Sequence, residues 1–598
     1  MRVERVGDGS SAGFRSGPAP LIPPLTWLGV AAALALLCWL AFFQGLGNLG
    51  LTDKTESLFV EVARGMAQRG DWITPWWNGE RFFDYPVWGY WMVALSFRLF
   101  GPSAWAARLP VALAASAVVV ALFMLLVVLA PSGEQPRRRL GRAGLAAALL
   151  ATSPGWIGWG RIASTDMFLA SAISLALFGF LLAHHHPPRS RPALLGQLAM
   201  ALFAAIAVLA KGPVGLLLPG LVLVVFLTLT RGWSRWWQPR SLAVMALVFL
   251  LVVVPWYALA AQANGMAFLG GFLGFSNLQR FTSVLYNHPG PPWFYLPWLA
   301  VLLLPWSIYL PEAIARLRFW RLQSWREAGQ RGDAALLLPL FLLTWLGVML
   351  VFYSAAATKL PGYILPLLPA GSLLVALLWQ PLVPVPAGGG AHRPAGWVNA
   401  LLLGALALAA GGAGRWAATD PAYPALGAAL AQSGLPLRLA LLLGLASLAL
   451  MALLLNANGN RWLWLPNLAA FLALLALVIP PLALLLDRER QLPLRHLAVA
   501  SRQSARPDEP LWVVGTKRYS IVFYSGSPAV FVADRRQIRQ RWRHDPGDLF
   551  LTARSKTIRL LGDRQDLEQL RLDPADVAVL ARDGEQQLWR IPVEGLQP

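Results

Sequence analysis

Residues 44–91 read QGLGNLGLTDKTESLFVEVARGMAQRGDWITPWWNGERFFDYPVWGYW and lie between two long apolar runs, about 21–43 and 104–129. The stretch carries Asp53, Glu56, Glu61, Asp71, Glu80 and Asp84, interleaved with Lys54, Arg64, Arg69 and Arg81. Its tail is aromatic: Trp72, Trp76, Trp77, Phe82, Phe83, Tyr85, Trp88, Tyr90 and Trp91. A plain connector between membrane spans needs no such density. Acids, bases and aromatics together at a membrane surface suggest a site for a polar group on a lipid. Within the stretch, Leu58, Val62 and Met66 recur at helical spacing, which predicts an amphipathic helix over Thr55–Gly70 lying along the membrane.

The surrounding composition sets the class. The chain has 598 residues, 57% hydrophobic and 13% charged, where soluble domains run nearer one-quarter charged. Repeated apolar runs of about 20 residues are long enough to cross a bilayer, so the chain reads as a polytopic helical membrane protein. The 28 Trp fit membrane interfaces, where Trp gathers. The formal charge of +21 does not point to nucleic acid, because many Arg sit in short loops where positive-inside bias accounts for them. The single Cys38 excludes an internal disulfide and a thiolate metal site. Residues 1–20 read as a disordered cytoplasmic tail, followed by an uncleaved first span.

Thirteen apolar runs follow, the last three near 398–414, 437–456 and 463–486. With the N-terminus inside, the Arg-dense loops 137–142, 189–191, 231–240 and 316–331 all fall on the cytoplasmic side. The large loops 44–91 and 262–293 then fall outside, as the positive-inside rule demands. The expected division is a membrane core over 21–380, additional membrane helices over 381–486 and a soluble α/β module over 487–598, on the outer side. In that module, runs 511–515, 520–526, 529–534 and 548–553 read as strands, 535–543 and 563–571 as helices, and 577–593 as a hairpin around Asp583-Gly584.

Several charged positions carry two readings each. Asp53 or Glu56 would serve as a base for an acceptor hydroxyl or amine; the plainer reading is a helix cap with Glu56 in a capping box. Asp166 stands beside a membrane span, where acids are costly and usually partnered or functional, and Arg161 is its expected partner. Lys211, Lys359, Arg280 and His288 converge on the outer side, which suits a phosphate or pyrophosphate. Each alone is equally a snorkelling cation. His184, His185 and His186 resemble a metal tract, with a solvated loop as the default.

The ordered set of motifs resembles a known family. The acidic first outer loop is followed by GDWITPWWNGERFFDYPVWGYW (70–91), RIASTD (161–166), AKGP (210–213), QRFT (279–282), His288, PWFYLP (292–297) and KLPGYILPLLPA (359–370). This order is similar to GT-C membrane glycosyltransferases of the dolichyl-phosphate-mannose protein mannosyltransferase family, in the bacterial aminoarabinose (lipid A) transferase-like branch. The resemblance covers about residues 20–380. It implies about a dozen membrane helices with amphipathic outer-loop helices, and sugar transfer from a polyprenyl-phosphate donor on the outer face of the inner membrane. Members act with or without a divalent cation, for which Asp84 and His288 are the candidate ligands here. The family's Asp-Glu pair stands as Thr55-Glu56, with Asp53 displaced by two. The family's phosphate-binding Lys is replaced by Tyr85 in Asp84-Tyr85-Pro86-Val87, and its Glu-His by Ser276-Asn277.

The resemblance therefore implies an inverting glycosyltransferase. Asp53 or Glu56 would be the base, with Asp166 nearby. Arg280, Lys359, Lys211, Arg81 and Tyr363 would hold the donor phosphate, and Trp76, Trp77, Tyr85 and Trp88 would face sugar or lipid. The acceptor is a lipid A-like lipid or a protein. A lipid-linked glycan flippase is the competing class, though it would need polar groups at the bilayer midplane; here they stand at span ends. A non-catalytic glycolipid-assembly scaffold is the third.

Overall fold

The computed structural model describes residues 22–592 apart from 132, 237, 273–281, 285–287, 333, 383–391, 418–423, 457, 516, 535 and 538–556. All thirteen apolar runs form helix. Among the described residues, ten helices are long and apolar enough to cross a membrane: Pro24–Phe43, Ala104–Val128, Thr165–His185, Arg191–Lys211, Pro239–Phe268, Leu336–Ala355, Pro361–Trp379, Arg393–Gly411, Leu435–Leu455 and Gly459–Gln503. The other three runs depart from a simple span. Tyr295–Leu302 and Trp306–Arg316 form a pair bent by 116°. Val214–Thr230 has 17 residues. Residues 136–159 break into Pro136–Ala151 and Pro154–Trp159, where Pro154 restarts the helix because a proline has no N–H to continue the preceding ladder. The chain is a multi-pass membrane protein.

Its core is shared by the helices of the first two-thirds of the chain. The window of Thr165–His185 is 83% buried, whereas that of Leu435–Leu455 is 22% buried. The first therefore runs through the protein interior. The second lies at the edge, joined chiefly to Arg393–Gly411 through Leu403, Leu450 and Leu454.

Among the described residues, a five-stranded sheet stands outside the helices. Strand β3 (Leu511–Val514) pairs in parallel with β4 (Ala529–Val532) and with β5 (Thr557–Asp563). Antiparallel β7 (Gln586–Pro592) follows on β5, and β6 (Ala578–Asp583) closes the edge, giving the order β4-β3-β5-β7-β6. The hairpin around Asp583-Gly584 forms as its turn residues require. Two expectations change. Residues 520–526 are not a strand: Ser520–Ser525 is a short helix with Gly526 at φ +67° terminating it, a left-handed stop that glycine adopts without strain. Residues 557–563, too alternating in polarity to stand out, form the central β5. The expected strand 548–553 and most of the expected helix 535–543 lie outside the described residues.

The sheet module rests on the opening loop. Asn78 makes reciprocal hydrogen bonds with Ala529, donating to its carbonyl and accepting from its N–H, both at 2.9 Å. Asn78 follows β1 (Trp76–Trp77), which turns back into β2 (Glu80–Arg81). Trp77 stacks on Phe531 at 6.3 Å and meets Tyr519 edge-on at 5.3 Å. The loop follows the first apolar run and the module follows the thirteenth. Their contact places both on one side, as an even number of crossings between them requires.

Candidate functional site

The helix expected over Thr55–Gly70 forms as Thr55–Arg69, ended by Gly70 at φ +71°. It does not lie free along the membrane. Phe59, Val62, Ala63 and Met66 are buried, while Leu58 is only half-buried. The buried stripe is offset from the expected one because a second surface covers the helix: Arg64 lies 5.8 Å from the Phe523 ring of the module.

Glu56 is buried and engaged on every side. Arg108 donates from Nε and Nη2 to its two carboxylate oxygens, each at 2.7 Å. Thr52 donates from its N–H and hydroxyl at 2.9 Å, and the Ala163 N–H donates at 3.0 Å. The bond from the Thr52 N–H is the cap-like reach-back expected of Glu56. Burial opposes ionisation, but the Arg108 charge and these donors hold the carboxyl below the usual carboxylate range. Arg108 also donates to the carbonyls of Leu46, Leu49 and Gly50 at 3.0, 2.6 and 2.9 Å. Its donors, five in a guanidinium, are thus all used. The signal for it in sequence is an Arg inside an apolar run. Glu56 is a structural anchor, and this argues against its assignment as the base.

Asp53 is half-buried and faces the module. Its Oδ1 accepts from the Ser520 N–H at 2.8 Å and from the Ser57 hydroxyl at 3.3 Å. Two further ties hold the loop: Gly50 N–H donates to Asp487 at 2.6 Å, and Leu51 N–H to the Tyr524 hydroxyl at 2.8 Å. Ser520, Tyr524 and Asp487 were invisible to sequence reasoning as parts of this site, being more than 400 residues away along the chain.

A second group gathers around Asp166, at the first turn of Thr165–His185. Its partner is Lys211, which donates to Oδ1, and not Arg161. Arg161 instead donates to the carbonyls of Ala41 at 3.2 Å and Gln44 at 2.5 Å. Burial, with the Arg108 charge added, lowers the Arg161 pKa to about 10. Lys211 Nζ lies 4.6 Å from the Tyr363 ring centroid and 5.9 Å from that of Tyr85. From Tyr363 the aromatic contacts run to Tyr353 at 5.8 Å and on to Tyr295 at 6.1 Å. Lys359 Nζ closes the row 5.7 Å from Tyr295, donating to the carbonyls of Ser354 and Ala356, both at 2.7 Å. Two lysines thus flank three tyrosines. Gly362 makes the approach possible, since a Cβ there would stand 2.9 Å from Asp166 Oδ2 and 2.7 Å from Trp159 Nε1. The Tyr363 hydroxyl is buried without a hydrogen-bond partner among the described residues. Ala163, bonded to Glu56, lies three residues before Asp166, so the segment 161–166 joins the two groups.

Other expected site residues separate. Trp77 packs its ring on the module. Trp76 donates to Asp71 at 3.0 Å and has Arg69 and Arg81 at 4.9 and 5.8 Å from its ring. Arg81 is exposed, and Trp88 is half-buried at the start of Trp88–Phe100. His288 is exposed and its carbonyl accepts from Lys359 N–H at 3.1 Å. Among the described residues no three His, Cys, Asp or Glu come together to hold a metal ion. His184 accepts from Trp236 Nε1 at 2.9 Å and stacks on Phe180, which makes it a packed residue of a helix end. Arg280, Ser276 and Asn277 lie outside the described residues.

The chain is similar to known proteins in sequence and in fold. Residues 27–269 match dolichyl-phosphate-mannose-protein mannosyltransferase, and residues 504–598 match the C-terminal domain of cyanobacterial RgtA-type glycosyltransferase. The undecaprenyl phosphate-alpha-4-amino-4-deoxy-L-arabinose arabinosyl transferase of Pseudomonas paraeruginosa is 36% identical over 362 residues, 60% of each chain. Its namesake from Shewanella sediminis is 30% identical over 356 residues, 58% of this chain and 59% of that one. The chain thus spans about 60% of the length of the curated relatives it matches. The crystal structure of ArnT from Cupriavidus metallidurans bound to undecaprenyl phosphate superposes with a TM-score of 0.73 at 24% identity, covering 96% of this chain and 100% of that one. At that identity the likeness establishes the fold. Through residues 27–269 of its membrane core the chain is similar to the dolichyl-phosphate-mannose-protein mannosyltransferase family, and over 362 residues to an aminoarabinose transferase.

Proposed function

We propose that the chain is an inverting glycosyltransferase. It moves a sugar from a polyprenyl-phosphate donor to a lipid A-like or protein acceptor, at the outer face of the inner membrane. The observation that carries this reading is the placement of a partly accessible acid, Asp53, and a lysine–tyrosine row on two groups joined by residues 161–166. Relatives 36% identical are named for sugar transfer from undecaprenyl phosphate, which supports the donor class.

In this reading Asp53 is the base. Ser520 and Ser57 both bond its Oδ1, which orients the carboxylate and leaves Oδ2 for the acceptor proton. As that proton leaves, the acceptor oxygen or nitrogen attacks the anomeric carbon. The bond to the phosphate oxygen breaks on the opposite side, inverting the centre, and the phosphate departs as an anion. Lys211, Lys359 and the Tyr363 hydroxyl, unpartnered among the described residues, stabilise that charge, with Arg280 and Arg81 as further cations. Tyr85 and Trp88 border the sugar. The same reading puts the loop 44–91 and the module on the periplasmic side and the Arg-dense loops in the cytoplasm.

The test is transfer of label from a radiolabelled undecaprenyl-phosphate sugar to a glycolipid or protein fraction by the purified chain. Labelled product with an inverted anomeric centre is expected. Movement of the intact donor across vesicles without product would assign a flippase, and neither outcome in a folded sample would leave a scaffold.

A further inference from the structure

The far end of Thr165–His185, the helix that carries Asp166 in its first turn, borders a cavity of about 240 Å³. At 1.5 Å per residue, His184 stands about 27 Å from Asp166 along Thr165–His185, so the cavity is remote from the site above. Its polar wall is formed by His184, His185, Arg231, Ser234 and Arg235, and its apolar wall includes Leu181, Phe226, Leu337 and Leu338. No Asp or Glu lines it among the described residues.

The local structure keeps this wall cationic and open. Arg231 is exposed and holds a left-handed turn at φ +53° after Val214–Thr230, which aims the chain back across the helix ends. Arg235 is anchored by one bond, Nη2 to the His186 carbonyl at 2.6 Å. The Trp236 indole Nε1–H donates to His184 Nδ1, so the neutral imidazole carries its proton on Nε2 and offers a second donor. Gly329 allows the closing contact, because a Cβ there would stand 2.1 Å from the Thr230 carbonyl oxygen. The volume is below the roughly 300 Å³ at which pockets begin to enclose a whole drug-sized molecule. It suits a head group whose remainder leaves along an apolar wall.

We propose that this cavity binds the phosphate-bearing head group of an anionic membrane lipid, on the membrane face opposite the transfer site. Basic pockets between membrane helices recognise such head groups by charge, and acyl chains satisfy the apolar side. The site is separate from donor binding and does not depend on the transfer reaction.

The test uses the full chain, purified and stripped of lipid, with dioleoyl phosphatidylglycerol and dioleoyl phosphatidylcholine as probes and native mass spectrometry as readout. Wild type should retain phosphatidylglycerol over phosphatidylcholine. Arg231→Gln with Arg235→Gln should lower that retention about tenfold or more. The exposed Arg231→Gln alone should lower it less with an unchanged melting temperature, and Arg231→Lys should restore most of it. Arg189→Gln, an exposed cation on the same face but outside the cavity, should leave retention unchanged. Equal retention in wild type and the cavity variants overturns the proposal, as does an equal loss with Arg189→Gln. Displacement of the lipid by millimolar inorganic phosphate would assign the cavity to a soluble phosphate compound and also overturn it.

Discussion

Asp53 and Ser520 are 467 residues apart in the chain, yet the Ser520 N–H donates to Asp53 Oδ1 at 2.8 Å. The proposed base therefore owes its orientation to the C-terminal module as well as to its own loop. Asp53→Asn keeps an acceptor for Ser520 and loses the negative charge. Stability should stay within about 0.5 kcal/mol of wild type, while kcat for sugar transfer falls about 10²–10⁴-fold. A kinetic assay beside a denaturation curve in detergent checks both halves.

Glu56→Gln should behave in the opposite way. Breaking its pair with the buried Arg108 leaves an uncompensated cation and costs about 3 kcal/mol or more. Activity should be lost in proportion to folded protein. Replacing both residues, Glu56→Gln with Arg108→Met, should recover part of the stability, readable as a shift in melting temperature.

The same pair sets an acid limit. The Glu56 carboxyl lies below its unfolded value of 4.5 in the folded chain. Its contribution is present above that pH and is lost as pH falls through the folded value. The melting temperature of wild type should therefore drop more steeply below pH 4.5 than that of Glu56→Gln, which lacks the titrating group. Parallel melts across that range would show equal slopes if the pair did not matter.

Docking of the module should depend on Trp77 and Asn78. Trp77→Ala with Asn78→Ala removes two aromatic contacts and two hydrogen bonds to the module, together worth about 2–6 kcal/mol. Hydrogen exchange should rise across residues 511–532 and 44–57, and transfer activity should fall as Asp53 loses its partner. Unchanged exchange in 44–57 would separate the module from the loop.

Tyr85 is the place to add a cation. Its ring lies 5.9 Å from Lys211 Nζ, so Tyr85→Lys would bring a second ammonium beside the Asp166–Lys211 pair. A charge-assisted bond to phosphate is worth about 1.5–3 kcal/mol. The KM for the polyprenyl-phosphate donor should fall about tenfold, with kcat little changed.

Much of this molecule was legible from residue order. Thirteen apolar runs became helix because a bilayer leaves the backbone no other internal way to satisfy its hydrogen bonds. Arginine spacing placed the outer loop and the module on one side, and Asp583-Gly584 announced its hairpin. What the order of residues could not supply was partnership. Asp166 was matched to the nearest cation, Arg161, but is paired with Lys211, 45 residues away. Glu56 looked like an available acid until Arg108 was folded against it. Residues 520–526 carried a strand-like composition, yet tertiary packing against the loop made them helix. For the two acids the physical reason is the same. Hydrophobic periodicity is local and survives in one dimension, whereas the state of a charge depends on desolvation and on neighbours that only the folded chain brings within about 3 Å.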